Sequence, residues 1–220
     1  GTFNPIHFGH LLLAETAFHQ FNLDEILIMP TKNPYYKKIS NSVTEEDRVA
    51  MVELAIEDNV HFQLSKEELN REGTTYTVET LSHLTVKHPG YEYYFIMGSD
   101  SIAAFMSWYR PDVILKFATL IAVKRDDESS KIMQERVFEI EKTFDTQIQI
   151  LSMPAVDISS SYIRCSDYSQ ILPMVPSEVY AYIVENKLYC NNNINKAWSI
   201  NKITEDLKNT LKVSRFEHTI

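Results

Sequence analysis

Few cysteines and little positive charge mark this 220-residue chain, and each shortage closes off a class of function. Its two cysteines, Cys165 and Cys190, stand far apart and in no metal-ligand spacing. That excludes a disulfide scaffold or a zinc ribbon, and reads as a reducing, cytoplasmic setting. Lysine and arginine total 21 against 30 aspartates and glutamates, for a net charge of −9. Proteins that bind nucleic acid generally do so through a basic face, so this balance argues against such a partner. No apolar run approaches the ~20 residues of a membrane span. The start also lacks the basic, apolar and small-residue succession of a secretory signal. An initiator methionine is lacking too. The chain opens at Gly1 in a turn-like stretch and stops at Ile220 within a helical pattern, so it reads as cut at both ends.

What is present is ordinary in bulk, with 44% hydrophobic and 23% charged residues, and suits one good-sized domain with a small appendage. Apolar residues at Leu11, Ala14, Ala17, Phe18 and Phe21 have helical spacing over 10–21. Ser42 and Glu45 form a capping-box pattern for a helix reaching about Asp58. Further helices are expected over 77–88 and 131–144, and from near Ser160 and Pro176. Strands are expected at 25–30, 60–64, 93–97, 120–123 and 148–151. The alternation predicts an α/β fold: a Rossmann-like, doubly wound parallel sheet with helices on both faces. Ligands of such folds sit at the carboxyl ends of the strands. The opening loop should follow a strand but has none before it, so a first strand is expected to be missing. Residues 1–190 read as one domain. A polar linker over 191–203 and the start of a second helical domain over 204–220 are expected to follow.

Two segments carry chemistry. The first is Gly1-Thr2-Phe3-Asn4-Pro5-Ile6-His7-Phe8-Gly9-His10, running straight into the first helix. Glycine and proline shape a tight turn, the helix start offers unpaired N–H groups to an anion, and two imidazoles add donors. Alone, the segment equally fits an ordinary turn with two surface histidines. The second is Asp157-Ile158-Ser159-Ser160-Ser161-Tyr162-Ile163-Arg164. Its hydroxyls can cap a helix or donate to phosphate, and its arginine can fork onto phosphate oxygens. Alone, simple N-capping with a surface arginine is the plainer account.

Together the two segments resemble the nucleotidylyltransferase superfamily, whose members open with G-G-T-F-D-P-x-H-x-G-H and close with I-S-S-T-x-I-R. Arg48, Glu72-Gly73, Tyr76-Thr77, Gly98-Ser99-Asp100-Ser101, Trp108-Tyr109, Val123-Lys124-Arg125 and the closing Val184 to Tyr189 are similar to landmarks of the bacterial nicotinate-mononucleotide adenylyltransferases. The resemblance spans roughly residues 1–190. The departures are the absent first glycine, Asn4 for aspartate, Tyr36 for a histidine of the P-P-H-K loop, Ser161 for threonine, and Cys165 where a charged residue is common.

The resemblance implies adenylyl transfer from ATP to nicotinate mononucleotide, giving nicotinate adenine dinucleotide and pyrophosphate. It implies His7, His10 and Arg164 as catalytic donors, and Gly1, Thr2, Phe3, Gly9, Ser159, Ser160 and Ser161 as the ATP site. Lys37 and Arg125 are implied as extra phosphate contacts, and Asp100 as a ribose or orienting group. Trp108 and Tyr109 are implied to stack on the pyridine ring, with Thr77 and backbone amides reading the carboxylate. Mg²⁺ is expected to arrive with the triphosphate. No nucleic acid or membrane is expected as partner, and the oligomeric state is left open. Rival readings are another superfamily enzyme, such as phosphopantetheine adenylyltransferase or a cytidylyltransferase, and a nucleotide sensor without turnover. The tail from Leu207 to Ile220, with Arg215 and His218 in an R-x-x-H-T pattern, resembles the opening of HD-domain phosphohydrolases. It implies His218 as a metal ligand of a longer, bifunctional chain.

Overall fold

The computed structural model describes residues 1–32, 43–124, 129–154 and 156–189. Lys37, Ser42, Arg125, the 191–203 linker and the 204–220 tail with His218 lie outside the described residues. Gly1–Tyr189 forms one compact unit. In it, helices and parallel strands alternate: α1 (Phe8–Gln20), β1 (Ile26–Ile28), α2 (Glu45–Ile56), β2 (Phe62–Leu64), α3 (Thr77–Lys87) and β3 (Tyr93–Met97). There follow α4 (Ser99–Ala104), α5 (Pro111–Phe117), β4 (Ala118–Lys124), α6 (Ser129–Phe144), β5 (Gln149–Ser152), α7 (Ser160–Cys165), α8 (Tyr168–Ile171) and α9 (Ser177–Glu185).

Among the described residues every strand pairing is parallel, in two groups: β1 with β2, and β3–β4–β5 in that order. Beside the end of β1, the Gly1 carbonyl accepts from the Thr31 amide at 2.7 Å and the Gly1 nitrogen donates to the Met29 carbonyl at 2.7 Å. This is the bonding of a parallel neighbour, and it fixes the opening loop against the carboxyl end of β1.

Strand β4 shows why the layers form. Successive side chains point to opposite faces, so Ala118, Leu120 and Ala122 enter one core and Ile121 and Val123 the other. A strand covered on both faces reads as a continuous apolar run, which Ala118–Lys124 is. The first core is closed by Met133, Val137 and Ile140 of α6, one helical face at i, i+4 and i+7, together with Ile102 of α4 and Ile114 of α5. The second is closed by Ala17 of α1, a small residue that lets the helix lie close to Leu151 of β5. Helices thus lie on both sides of the parallel strands.

One cap moves from its expected place. Helix α2 is capped by Thr44, whose hydroxyl accepts from the Asp47 amide at 3.1 Å while the Asp47 carboxylate accepts from the Thr44 amide at 2.9 Å. The capping box is therefore Thr44–Asp47 rather than Ser42–Glu45. Helices α4 and α5 add turns within 98–117, where no helix was expected.

Candidate active site

The opening loop, the start of α1 and the short helix α7 meet at one place. His7 is the N-cap of α1, and its ring stacks on that of His10 with centroids 3.7 Å apart. The His7 amide donates to His10 Nδ1 at 3.3 Å. A ring nitrogen accepts only through its lone pair, so neutral His10 carries its proton on Nε2 and acts as a donor there. Phe3 braces the same ring edge-on at 5.1 Å. His7 is buried, at 6% exposure, so the pair is not the two surface histidines that the loop alone allowed. Gly9 suits this packing, since a Cβ there would stand 3.0 Å from His7 Nδ1 and would push the ring by a few tenths of an ångström. The His10 and Leu11 amides donate to the His7 carbonyl, while those of Phe8 and Gly9 have no partner within this 13-residue helix and, with the helix dipole, favour an anion.

Helix α7 docks on the back of the loop. Ser160 donates to the Pro5 carbonyl at 2.9 Å, and Arg164 donates to the Asn4 carbonyl at 2.8 Å and to the Ser161 hydroxyl at 3.1 Å. Ser159 caps α7 by accepting from the Tyr162 amide at 3.1 Å. The three serines therefore differ. Ser159 shapes the helix, Ser160 holds the loop, and exposed Ser161 sits beside a half-buried arginine that keeps further N–H groups.

Sequence reasoning gave Arg48 no role and overlooked Tyr189 altogether as a site residue. Arg48 of α2 is 2% exposed and donates to the Thr2 carbonyl at 2.7 Å. Its burial holds the guanidinium below its usual range, with the Glu45 and Tyr189 neighbours acting the other way. Tyr189 donates to Asn4 Oδ1 at 2.7 Å. Burial pushes this phenol well above its ordinary value, so at neutral pH it is a donor.

The acceptor-side candidates cluster around α3 to α5. Gly98 caps α4 at the carboxyl end of β3, and exposed Asp100 lies in the first turn of α4. Thr77 opens α3, and Tyr76, its N-cap, meets Tyr109 with centroids 4.9 Å apart. Tyr109 is 54% exposed. Trp108 is half-buried, with Phe95 at 6.1 Å and Phe105 at 5.8 Å, so core packing and an open edge are both present. The turn is fixed by Arg110, which takes up the left-handed region at φ 54 and grips Asp112 with two N–H groups at 3.1 and 3.2 Å. Among the described residues, no three His, Cys, Asp or Glu side chains converge to hold a metal ion. No described helix is long and apolar enough to cross a membrane.

Residues 1–166 match the cytidylyltransferase-like family. A protein of Lachnoclostridium phytofermentans named as a nicotinate-nucleotide adenylyltransferase is 42% identical over 191 residues, covering 86% of this chain and 96% of that protein. The chain belongs to the nicotinate-nucleotide adenylyltransferase family. A second member, from Carboxydothermus hydrogenoformans, is 38% identical over 192 residues and is covered to 94% of its length. In fold, the chain is similar to the Plasmodium falciparum nicotinic acid mononucleotide adenylyltransferase complexed with NaAD, at TM-score 0.68 and 21% identity, covering 86% of this chain and 94% of that one. The same enzyme complexed with APC gives a TM-score of 0.66. Membership of the nicotinate-nucleotide adenylyltransferase family makes the chain a nucleotidyltransferase of Rossmann-like fold.

Proposed function

We propose that the chain transfers the adenylyl group of ATP, bound as its Mg²⁺ complex, to the 5′-phosphate of nicotinate mononucleotide. A phosphate oxygen of the mononucleotide attacks the α-phosphorus in line, the bond from that phosphorus to the β-phosphate bridging oxygen breaks, and pyrophosphate leaves. The products are nicotinate adenine dinucleotide and pyrophosphate, with no covalent enzyme intermediate. The chain supplies position and charge rather than a nucleophile. Loop amides at Thr2 and Phe3 and the start of α1 receive the phosphates. His10 Nε2–H and Arg164 donate to oxygens on which negative charge grows. Lys37 and Arg125 add positive charge at the triphosphate, while Thr77, Asp100, Trp108 and Tyr109 hold the mononucleotide. The metal travels with the triphosphate, keeps waters of its own, and draws on no cage of protein carboxylates.

The observation that carries this reading is the stacked His7–His10 pair at a helix N-terminus, on a loop that the arginine of α7 also grips through the Asn4 carbonyl. A protein that only sensed nucleotide would need no such arrangement. Pyrophosphate release is the test, with Mg²⁺ and ATP plus nicotinate mononucleotide, nicotinamide mononucleotide or 4′-phosphopantetheine. Turnover with the nicotinate compound, by at least tenfold in kcat/KM over the others, is expected. Preference for phosphopantetheine, or no pyrophosphate with any acceptor, would sink the reading.

A further inference from the structure

The opening loop is strained and is held from several sides. Phe3 lies in the left-handed region at φ 43, a conformation that is unfavourable for a bulky residue and persists only where surroundings over-determine it. Three of the bonds that do so grip backbone carbonyls, those from Arg48 to Thr2, Ser160 to Pro5, and Arg164 to Asn4. The fourth grips a side chain: the Tyr189 hydroxyl donates to Asn4 Oδ1 at 2.7 Å, across 185 residues of sequence. Both partners are buried, Asn4 at 5% and Tyr189 at 9% exposure.

Tyr189 is itself placed with effort. It sits at φ 59 and Lys187 at φ 53, two left-handed residues in the three after Asn186. Leu188 between them is buried. Preceding helix α9 is tied to α2 by the Tyr182 hydroxyl, which donates to Asp47 at 2.9 Å. The contacts close a ring: α2 to α9 through Tyr182, α9 to the loop through Tyr189 and Asn4, and the loop back to α2 through Thr2 and Arg48.

We infer that Tyr189 is a positioning residue for the nucleotide loop, setting through Asn4 the place of Phe3 and of the His7–His10 pair. This rests on the adenylyl-transfer reading. The Tyr189 hydroxyl is buried against the loop and reaches it through the Asn4 side chain. Removal of its hydroxyl leaves Asn4 Oδ1 buried and without that partner, and the loop relaxes to meet it. Displacement of about 1 Å at a reacting centre is enough to cost up to ~10²-fold in rate.

The test compares Tyr189→Phe, Asn4→Ala, the double variant and Asn4→Asp, by pyrophosphate release and by thermal melting. Tyr189→Phe and Asn4→Ala should each lower kcat about tenfold or more, with KM for the mononucleotide within twofold. The double variant should be no slower than the slower single one, because both remove the same bond. Asn4→Asp keeps an oxygen that accepts from Tyr189 and should restore kcat. A purely structural role would lower the melting temperature and leave the turnover of folded protein unchanged, which overturns the inference, as do single effects that multiply in the double variant. Should Tyr189→Phe not fold, the Asn4 pair decides, since equal rates for Asn4→Ala and Asn4→Asp overturn the inference. A wild type that releases no pyrophosphate defeats the substrate reading instead. Calorimetric binding of a non-hydrolysable ATP analogue then decides, with roughly tenfold weaker binding by Tyr189→Phe in support and equal affinity against.

Discussion

Because Nδ1 of His10 accepts from the His7 amide, the proton of the neutral ring lies on Nε2, and the orientation of the ring is set before substrate arrives. A donor fixed in advance costs no reorganisation as charge develops, which is why such groups act on the transition state more than on binding. His10→Ala should therefore lower kcat by about 10²–10³-fold and shift the affinity for ATP far less. Steady-state pyrophosphate assays beside analogue binding separate the two, and near-normal kcat would remove His10 from the mechanism. Trp108 needs a more careful variant, since it meets Phe95 and Phe105 as well as open space. Trp108→Ala removes core area along with any stacking surface and should destabilise the half-buried site by less than the ~3–5 kcal/mol of a fully buried tryptophan. Trp108→Leu keeps much of the apolar volume and discards the ring face. It should raise KM for the mononucleotide about tenfold with KM for ATP unchanged, in line with the ~1–3 kcal/mol of a base stacked on an aromatic ring. Equal movement of both constants would return Trp108 to a packing role alone.

At the scale of elements, the N-terminus of α2 joins several effects. Glu45, Glu46 and Asp47 place negative charge in its first turn, favourable to the dipole. Burial opposes ionisation of Asp47, but the Thr44 amide, the Tyr182 hydroxyl and the Thr44 hydroxyl outweigh it and hold the carboxyl below its ordinary value. A carboxylate with a lowered folded pKa contributes stability that is present above its unfolded value and is lost as pH falls through the folded one. The melting temperature should accordingly drop below about pH 4, and Asp47→Asn should flatten that part of the profile. An unchanged acid limb in Asp47→Asn would show that the carboxylate contributes nothing there. The same corner shows what could be read in advance. Ser42–Glu45 and Thr44–Asp47 both fit a capping box by spacing, and a tertiary bond from Tyr182 favours the second. Strand β4 was legible because burial on both faces leaves an unbroken apolar run, and β3, which exposes Tyr94, because Tyr93–Met97 is aromatic and apolar throughout. Helices α4 and α5 were not, since 6 and 7 residues are too few for a helical period to accumulate. The histidine loop and the Ser159–Arg164 segment were legible because their chemistry is local. The bonds from Arg48 to Thr2 and Tyr189 to Asn4 span 46 and 185 residues, and no local pattern carries them.

Across the whole molecule, the parallel strands bring their carboxyl ends to the side where the loop after Gly1, the start of α4 and the approach to α7 gather, as this class of fold requires. The compact unit then closes on itself, because its last residue, Tyr189, bonds the loop that begins at Gly1. Two relatives of the family are matched over 96% and 94% of their length by 86% of this chain. Two truncations then have opposite expectations. Ending the chain after Tyr189 removes none of the described contacts and should leave kcat within about twofold and the melting temperature within a few degrees. Ending it after Glu185 removes only four more residues but takes away buried Leu188, the Tyr189 hydroxyl and the closing turn of α9. Loss of a buried leucine alone costs about 2–5 kcal/mol, a large part of a typical domain's stability. The shorter protein should melt well below the longer one and turn over at least tenfold more slowly at a temperature where both are folded. Equal melting and equal turnover for the two truncations would mean that the unit does not depend on this closure.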